Sequence, residues 1–200
     1  IDRGYKENDI LGGEDPYSAS KGSAELVIQS YCKSFFKDKK KRIGIARAGN
    51  VIGGGDWSEN RLIPDCIKSW SIKKRVILRN PKSTRPWQHV FEAIFGYLTL
   101  AIRLKKDLRF HGEAFNFGPS NKDNKSVLNV VTEMKKSWKA VSWKIKKFEK
   151  IEYESKLLKL NSNKAKLKLK WKNCLNFRQS IKMTTDWYKN FYEKKENIYF

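Results

Sequence analysis

The chain of 200 residues carries a formal net charge of +22 at pH 7, and its hydrophobic content of 40% is enough for a folded core and argues against wholesale disorder. No apolar run is long enough to cross a bilayer, so the sequence predicts no membrane span. Three widely spaced cysteines and two histidines argue against a zinc site or a disulfide framework and favour a reducing, cytoplasmic compartment.

The first element that the sequence predicts is a long helix over residues 16–37. Asp15 is a suitable N-cap, and Pro16 suits the first helical position because it has no N–H to leave unpaired. Tyr17 and Lys21 stand four residues apart and therefore share one face of this helix. The lysine ammonium and the positive end of the helix dipole both favour a phenolate, so the pair is suited to acid–base catalysis. An apolar stripe along the helix consists of Ala24, Leu26, Val27, Ile28, Tyr31, Phe35 and Phe36.

Short strands alternate with helices through the rest of the chain. This order is typical of an α/β fold. The predicted strands cover residues 42–48, 76–78, 114–117 and 143–149. The predicted helices cover residues 62–74, 88–106, 126–139 and 176–194, and a glycine-rich loop covers residues 49–60.

The usual signature of a dinucleotide site is missing from the sequence. Such a site needs a glycine-rich turn between a first strand and its helix, with an acidic residue about 20 positions further on. The run Gly53–Gly55 is followed by Asp56, Trp57 and more loop, so we interpret it as a loop with unusual backbone angles or close substrate approach. The chain also begins at Ile1 without a starting methionine or a signal segment, and we expect it to be part of something longer.

The excess of basic residues has two interpretations. Clustered lysines bind nucleic acid, because they neutralise phosphates and release counterions. Here lysine is spread through much of the chain in small clusters, and no zinc-finger or RNA-recognition signature accompanies them. We therefore interpret the charge as solvated basic faces, and we expect neither a nucleic-acid partner nor a membrane partner.

Several motifs resemble the extended short-chain dehydrogenase/reductase family that acts on nucleotide sugars. The motifs are Gly4–Asp9 (GYKEND), Asp15–Gly22 (DPYSASKG), Arg47–Trp57 (RAGNVIGGGDW), Arg85–Val90 (RPWQHV) and Asn116–Pro119 (NFGP). The second, third and fourth resemble in particular the branch of this family that dehydrates CDP-glucose at carbons 4 and 6. The resemblance covers nearly the whole chain, but it is looser beyond Pro119.

The resemblance implies a fold and a division into domains. We expect an α/β fold that forms the C-terminal part of a doubly wound Rossmann-type sheet, together with a smaller mixed α/β substrate-binding domain. Residues 1–48 would complete the NAD-binding domain, with the helix of Tyr17 and the strand that follows. Residues 49–200 would mainly bind the nucleotide sugar, with a segment near 88–118 that returns to the Rossmann domain.

The resemblance also implies roles for individual residues. Tyr17 and Lys21 would be the catalytic pair, both would contact the cofactor NAD, and Ala48 would contact it too. Guanidinium groups suit a diphosphate because they are forked donors that are always charged. The substrate contacts implied by the resemblance are Asn50, Arg61, Arg79 and Arg85.

Four further motif residues have structural interpretations. Trp87 either stacks on a base or belongs to the core. His89 is interpreted as structural, and Asn116 is expected to hold a strand-to-loop turn. Asn161 is a departure, because the family usually has aspartate at this position.

The implied activity is the NAD-dependent 4,6-dehydration of CDP-glucose to CDP-4-keto-6-deoxyglucose, a precursor of cell-surface polysaccharide. The family's dehydration motif would fall ahead of Ile1, so we expect this chain to be inactive alone and the full-length enzyme to be a cytoplasmic dimer or tetramer without a bound metal. Two alternatives stay open at this point. One is another epimerase or dehydratase of the same family, and the other is a basic binding module without catalysis.

Overall fold

The computed structural model describes residues 3–38, 40–146 and 158–194. Its α-helices are α1 (Pro16–Ser34), α2 (Leu62–Ser71), α3 (Val90–Lys106), α4 (Val127–Ser137) and α5 (Phe177–Lys189). Its strands are β1 (Ile45–Ala48), β2 (Asn50–Ile52), β3 (Val76–Leu78), β4 (Thr84–Arg85), β5 (Trp87–His89), β6 (Ala114–Phe117), β7 (Lys125–Ser126) and β8 (Trp143–Ile145). Short 3-10 turns occur at Leu108–Phe110 and Asn121–Asp123, and π-helical turns occur at Ala165–Leu169 and Asn190–Lys194.

The strands pair across long stretches of sequence. In the described part of the chain β1 pairs with β6, β2 with β5 and β3 with β8, all in parallel, whereas β4 and β7 are antiparallel. Parallel strands joined through helices are characteristic of α/β proteins, so the predicted fold class is confirmed.

Several predicted boundaries are wrong. The helix predicted over 16–37 ends at Ser34, and the helix predicted over 62–74 ends at Ser71. The predicted loop 49–60 contains β2, and the helix predicted from residue 88 begins only at Val90, because Trp87–His89 form β5. The two errors share one cause, since β2 and β5 form only by pairing with each other. Part of the strand predicted over 143–149 lies outside the described residues.

The core consists of two hydrophobic clusters. The larger cluster joins α2, α4 and α5, and it includes the fully buried Trp70 and Trp138, whose rings meet edge to face at 6.4 Å. The smaller cluster lies between α3, β6 and the turn Ala165–Leu169, where Phe117 meets Trp171 at 5.2 Å. None of the helices in the described ranges combines the length and apolar character of a membrane span.

Helix α1 leaves most of its apolar stripe in contact with solvent. Val27, Tyr31 and Phe35 are 54%, 50% and 70% exposed, and only Gly22 and Cys32 of this helix are buried. Contiguous exposed apolar surface of this kind promotes association.

We predict that replacing Val27, Tyr31 and Phe35 together by glutamine lowers self-association of the chain. The free energy of unfolding should change little, because exposed side chains contribute little to the core, about 0.5 kcal/mol or less each. Sedimentation velocity measures the association and chemical denaturation measures the stability. The control replaces Ser23 and Ser30, which are also exposed on α1, by glutamine. Equal association of the wild type, the triple variant and the control would contradict the prediction.

His89 caps the N-terminus of α3. Its Nδ1 accepts a hydrogen bond from the Phe91 N–H at 3.3 Å, and the side chain is buried. Burial lowers the pKa of His89 below its usual value, although the nearby Glu92 carboxylate acts in the opposite direction. The unfolded chain therefore takes up a proton at this residue at a higher pH than the folded chain does. The stabilisation is present above about pH 6.5 and is lost as the pH falls through the lower folded pKa.

We predict that His89→Asn reduces the loss of stability between about pH 8 and about pH 5. Asparagine keeps a capping acceptor but does not titrate. Chemical denaturation at a series of pH values gives the free energy of unfolding of each protein. Titrations that are common to both proteins cancel in the difference between the two free energies. Parallel pH profiles would show that His89 does not couple folding to protonation.

Candidate active site

The N-terminal turn of α1 presents Tyr17 and Lys21 together. The Asp15 carboxylate accepts hydrogen bonds from the Ser18 N–H at 2.9 Å and from the Ser18 hydroxyl at 2.6 Å. These two bonds lower the pKa of Asp15, so the cap is an ionised carboxylate. Tyr17 is 71% exposed, and the Lys21 ammonium lies 5.5 Å from the centre of its ring. The phenol and the ammonium are therefore both accessible to a ligand at this end of the helix.

An ion pair fixes α1 to the strand that follows it. Arg47 of β1 donates two hydrogen bonds to the Glu25 carboxylate of α1, from Nε at 2.7 Å and from Nη2 at 2.6 Å. Both side chains are largely buried, with exposed fractions of 19% and 14%. A forked pair of this kind fixes orientation as well as distance. The ion pair therefore fixes the position of α1, which carries Tyr17, relative to Ala48, the last residue of β1. Sequence reasoning missed Glu25, and its spacing of 22 residues from Arg47 leaves no local signal.

The pairing of β2 with β5 brings two predicted substrate residues to one place. The Asn50 N–H donates to the Pro86 carbonyl at 2.9 Å, directly beside Arg85. Arg85 is half-buried, and its Nη1 donates to the Thr84 carbonyl at 2.8 Å. Asn50 and Arg85 are thus neighbours in the fold, although 35 positions separate them in the sequence.

The other two predicted arginines are placed differently. Arg61 precedes α2, is exposed, and lies 3.8 Å from the carboxylate of Asp56 in the glycine-rich loop. Arg79 is exposed at the end of β3, which belongs to a separate strand pair. The structure therefore links Arg61 to the loop, whereas Arg79 follows β3, which pairs with β8.

The loop Gly53–Trp57 connects Asn50 to Arg61 and has the backbone features that the sequence indicates. Gly55 has a φ of +76°, which favours glycine. A Cβ atom added at Gly54 would overlap the indole of Trp187, so this position needs glycine for close packing. The prediction of unusual backbone angles in this loop is confirmed at Gly55.

The remaining motif residues are structural. Trp87 is buried, and its Nε1 donates to the Lys125 carbonyl at 2.9 Å, which resolves its two interpretations in favour of the core. Asn116 is also buried, and its Nδ2 donates to the Tyr5 carbonyl at 3.0 Å and to the Asn161 carbonyl at 3.3 Å. Asn116 thus joins three segments, not one turn. Sequence reasoning also missed Glu92, a buried carboxylate that accepts from the N–H groups of Cys174 and Leu175 at 3.0 and 2.8 Å.

The residues present fit one part of a nicotinamide dinucleotide. The exposed Tyr17 hydroxyl and Lys21 ammonium suit the hydroxyl groups of a ribose. In the described ranges no glycine-rich turn leads directly from a strand into a helix, because α2 begins at Leu62, well after Gly55. The described residues therefore do not form the pyrophosphate part of such a site. Among them, no group of three or more His, Cys, Asp or Glu residues could hold a metal ion.

Comparisons with known proteins show which family the sequence matches. The family model described as GDP-mannose 4,6 dehydratase matches residues 2–184. The chain is 42% identical over 192 residues to the CDP-glucose 4,6-dehydratase of Salmonella typhimurium, which covers 93% of this chain and 53% of that relative. It is 23% identical to the dTDP-D-glucose 4,6-dehydratase of Homo sapiens, over 99% of this chain and 55% of the relative. The chain thus spans about half the length of these curated relatives.

Solved structures with the same fold include a dTDP-glucose 4,6-dehydratase and an epimerase. The dTDP-glucose 4,6-dehydratase of Bacillus anthracis, in complex with NAD, matches with a TM-score of 0.75 and 21% identity, over 96% of this chain and 57% of that one. An epimerase of Methanothermobacter thermautotrophicus matches with a TM-score of 0.79 and 18% identity, over 96% and 56% of the two chains. The family match, which extends over most of the sequence, confirms the resemblance seen in the motifs. The chain therefore belongs to the family of nucleotide-sugar 4,6-dehydratases that the GDP-mannose 4,6 dehydratase model describes.

Proposed function

We propose that this chain carries the catalytic tyrosine and the nucleotide-sugar site of an NAD-dependent CDP-glucose 4,6-dehydratase. The observation that carries the proposal is the exposed Tyr17–Lys21 pair, on a helix that the Glu25–Arg47 ion pair fixes to β1. The identity of 42% to a CDP-glucose 4,6-dehydratase supports CDP as the nucleotide. The product would be CDP-4-keto-6-deoxyglucose, which serves as a precursor of cell-surface polysaccharide.

The proposed chemistry of this chain is proton transfer at the sugar 4-hydroxyl. Tyr17 is the group that takes this proton, and the Lys21 ammonium donates to the nicotinamide ribose. Bound NAD would supply a hydride acceptor for the sugar, from which the hydride is later returned. Ala48, at the carboxyl end of β1, lies at the edge where α/β folds bind ligands, and it would contact the cofactor. We assign no residue of this chain to the elimination of water across C5 and C6.

The proposed substrate contacts lie around the Gly53–Trp57 loop. Asn50 and Arg85 flank the β2–β5 pairing, and Arg61 follows the loop. Arginine suits a diphosphate because it offers two parallel charged donors. Arg79 is proposed as an outer contact. In this scheme residues 1–48 complete an NAD-binding domain, and residues 49–200 mainly bind the nucleotide sugar, except for the segment 88–118 that returns to the Rossmann domain. The complete enzyme would be a cytoplasmic dimer or tetramer.

A chimera tests the proposal. It joins residues 1–200 to the segment of the Salmonella typhimurium enzyme that this chain does not match. We expect the chimera to dehydrate CDP-glucose, whereas the chain alone should neither bind NAD tightly nor turn over, since its described residues lack a pyrophosphate turn. In the chimera, Tyr17→Phe should lower turnover at least ~10²-fold, because it removes the proton-transfer group.

The matched control is Tyr31→Phe, which makes the same chemical change on the same helix at another exposed tyrosine. Turnover of this control should equal that of the unsubstituted chimera. Formation of the 4-keto sugar is followed by its absorbance in alkali, and CDP-glucose affinity by calorimetry. Turnover of Tyr17→Phe close to that of the control would remove Tyr17 from the catalytic role.

The nucleotide contact gives a second test. We predict that Arg85→Ala weakens CDP binding by about 1.5–3 kcal/mol, the usual contribution of a hydrogen bond to a charged group. Calorimetry with CDP and the 200-residue chain measures this change. Arg109→Ala is the control, since Arg109 is exposed and its guanidinium pairs with Asp107 two residues away. Equal affinities of the two variants for CDP would exclude Arg85 from the site.

A further inference from the structure

The C-terminal helix holds the glycine-rich loop by one hydroxyl group. The Oη of Tyr188, on α5, donates to the Asp56 carbonyl at 2.7 Å and accepts from the Asp56 N–H at 3.1 Å. Tyr188 is fully buried, and 132 residues separate it from Asp56 in the sequence. One hydroxyl thus satisfies both backbone groups of a single loop residue, and it fixes the position and the orientation of that peptide segment.

Aromatic rings surround the contact between Tyr188 and Asp56. Trp57 lies edge-on to Tyr188 at 5.4 Å, with Phe191 at 5.2 Å and Tyr192 at 6.0 Å from its centre. Trp187, next to Tyr188 on α5, packs against Gly54 of the same loop. The helix end and the loop therefore pack as one unit, and the loop has little freedom to change shape unless these aromatic contacts separate.

Asp56 connects this unit to a proposed substrate residue. Its backbone is held by Tyr188, while its carboxylate lies 3.8 Å from the Arg61 guanidinium. On the other side of the loop, Asn50 begins β2, three residues before Gly53. The loop therefore lies between Asn50 and Arg61 in the chain, and its Asp56 carboxylate contacts Arg61 directly.

We propose that Tyr188 is a positioning residue, which holds the loop Gly53–Trp57 in the conformation that presents Asn50 and Arg61 to the nucleotide diphosphate of the substrate. This inference rests on the proposed function, since it assumes that these two residues bind the nucleotide sugar. Tyr188 itself contacts neither the substrate nor the cofactor in this scheme. It acts only through the backbone of Asp56.

The chemistry of the hydroxyl supports this role over plain core packing. A phenylalanine would fill the same space among the rings, so packing alone does not require the oxygen. Burial raises the pKa of Tyr188 to about 12, and the hydroxyl therefore keeps its proton and stays a donor to the Asp56 carbonyl across the working pH range. Without it, the half-buried N–H and carbonyl groups of Asp56 would lose this hydrogen-bond partner.

Tyr188→Phe tests the proposal in the 200-residue chain. Hydrogen–deuterium exchange of the backbone amides of residues 53–57 reports on the loop, and calorimetry with CDP reports on the site. We expect exchange at the Asp56 amide to become at least about threefold faster, and the Kd for CDP to rise about three- to tenfold, the effect of losing one hydrogen bond. Exchange in α3, which contributes Leu100 and Leu104 to the smaller core cluster, verifies that the chain stays folded.

The matched control is Tyr192→Phe. Tyr192 belongs to the same aromatic cluster, and its hydroxyl makes no hydrogen bond to the described residues. This variant should leave loop exchange and CDP affinity unchanged. Gly54→Ala is an independent second variant, because its Cβ would separate the loop from Trp187 without altering Tyr188. It should weaken CDP binding as Tyr188→Phe does.

Each outcome decides the proposal. The proposal is supported if Tyr188→Phe shows both faster loop exchange and weaker CDP binding, while Tyr192→Phe shows neither change. Unchanged exchange shows that the hydroxyl does not hold the loop, and faster exchange with unchanged affinity shows that the loop does not position the site. Either result overturns the proposal. Failure of the wild-type chain and of the chimera to bind CDP would instead overturn the proposed function, and exchange alone would still reveal whether Tyr188 anchors the loop.

Discussion

The forked ion pair between Glu25 and Arg47 is the interaction on which the candidate active site depends. Helix α1 buries only Gly22 and Cys32, so hydrophobic packing contributes little to its placement. The pair instead supplies two short, charge-assisted hydrogen bonds between α1 and β1. These bonds are directional, and losing one partner would leave a largely buried charge uncompensated. The position of Tyr17 relative to the end of β1 therefore follows from electrostatics more than from core packing.

Features that depend on near neighbours in the chain could be predicted from the sequence. The cap at Asp15, the i to i+4 relation of Tyr17 and Lys21, and the strands Val76–Leu78 and Ala114–Phe117 all arise from local preferences. Such preferences act within one or two turns of a helix or along a single strand. The motif resemblance extended the prediction to the family, which the comparisons confirm, whereas the individual site roles stay predictions.

Features that depend on distant partners could not be predicted. Strand β2 lies in a glycine-rich segment with no strand periodicity, and it exists because Asn50–Ile52 pair with Trp87–His89. The contact between Tyr188 and Asp56 could not be predicted for the same reason, since nothing near Tyr188 in the sequence indicates that its hydroxyl binds the loop. Glu92 resembles any helical glutamate until the fold brings the segment Asn173–Leu175 against it. In each case tertiary pairing decides what local propensity leaves open.

The proposed nucleotide site and the proposed catalytic helix differ in how much hydrophobic core supports them. The loop Gly53–Trp57 packs through Trp57 against the larger cluster, in which Trp70, Trp138 and Tyr188 are almost completely buried. The helix of Tyr17 has no comparable core, and its Val27–Phe35 stripe faces solvent. A catalytic tyrosine must be held within a fraction of an ångström of its substrate proton, which a single ion pair at one point of a helix does not guarantee. Nucleotide binding should therefore need only the packing present in this chain, whereas catalysis should also need a partner surface that covers the apolar face of α1.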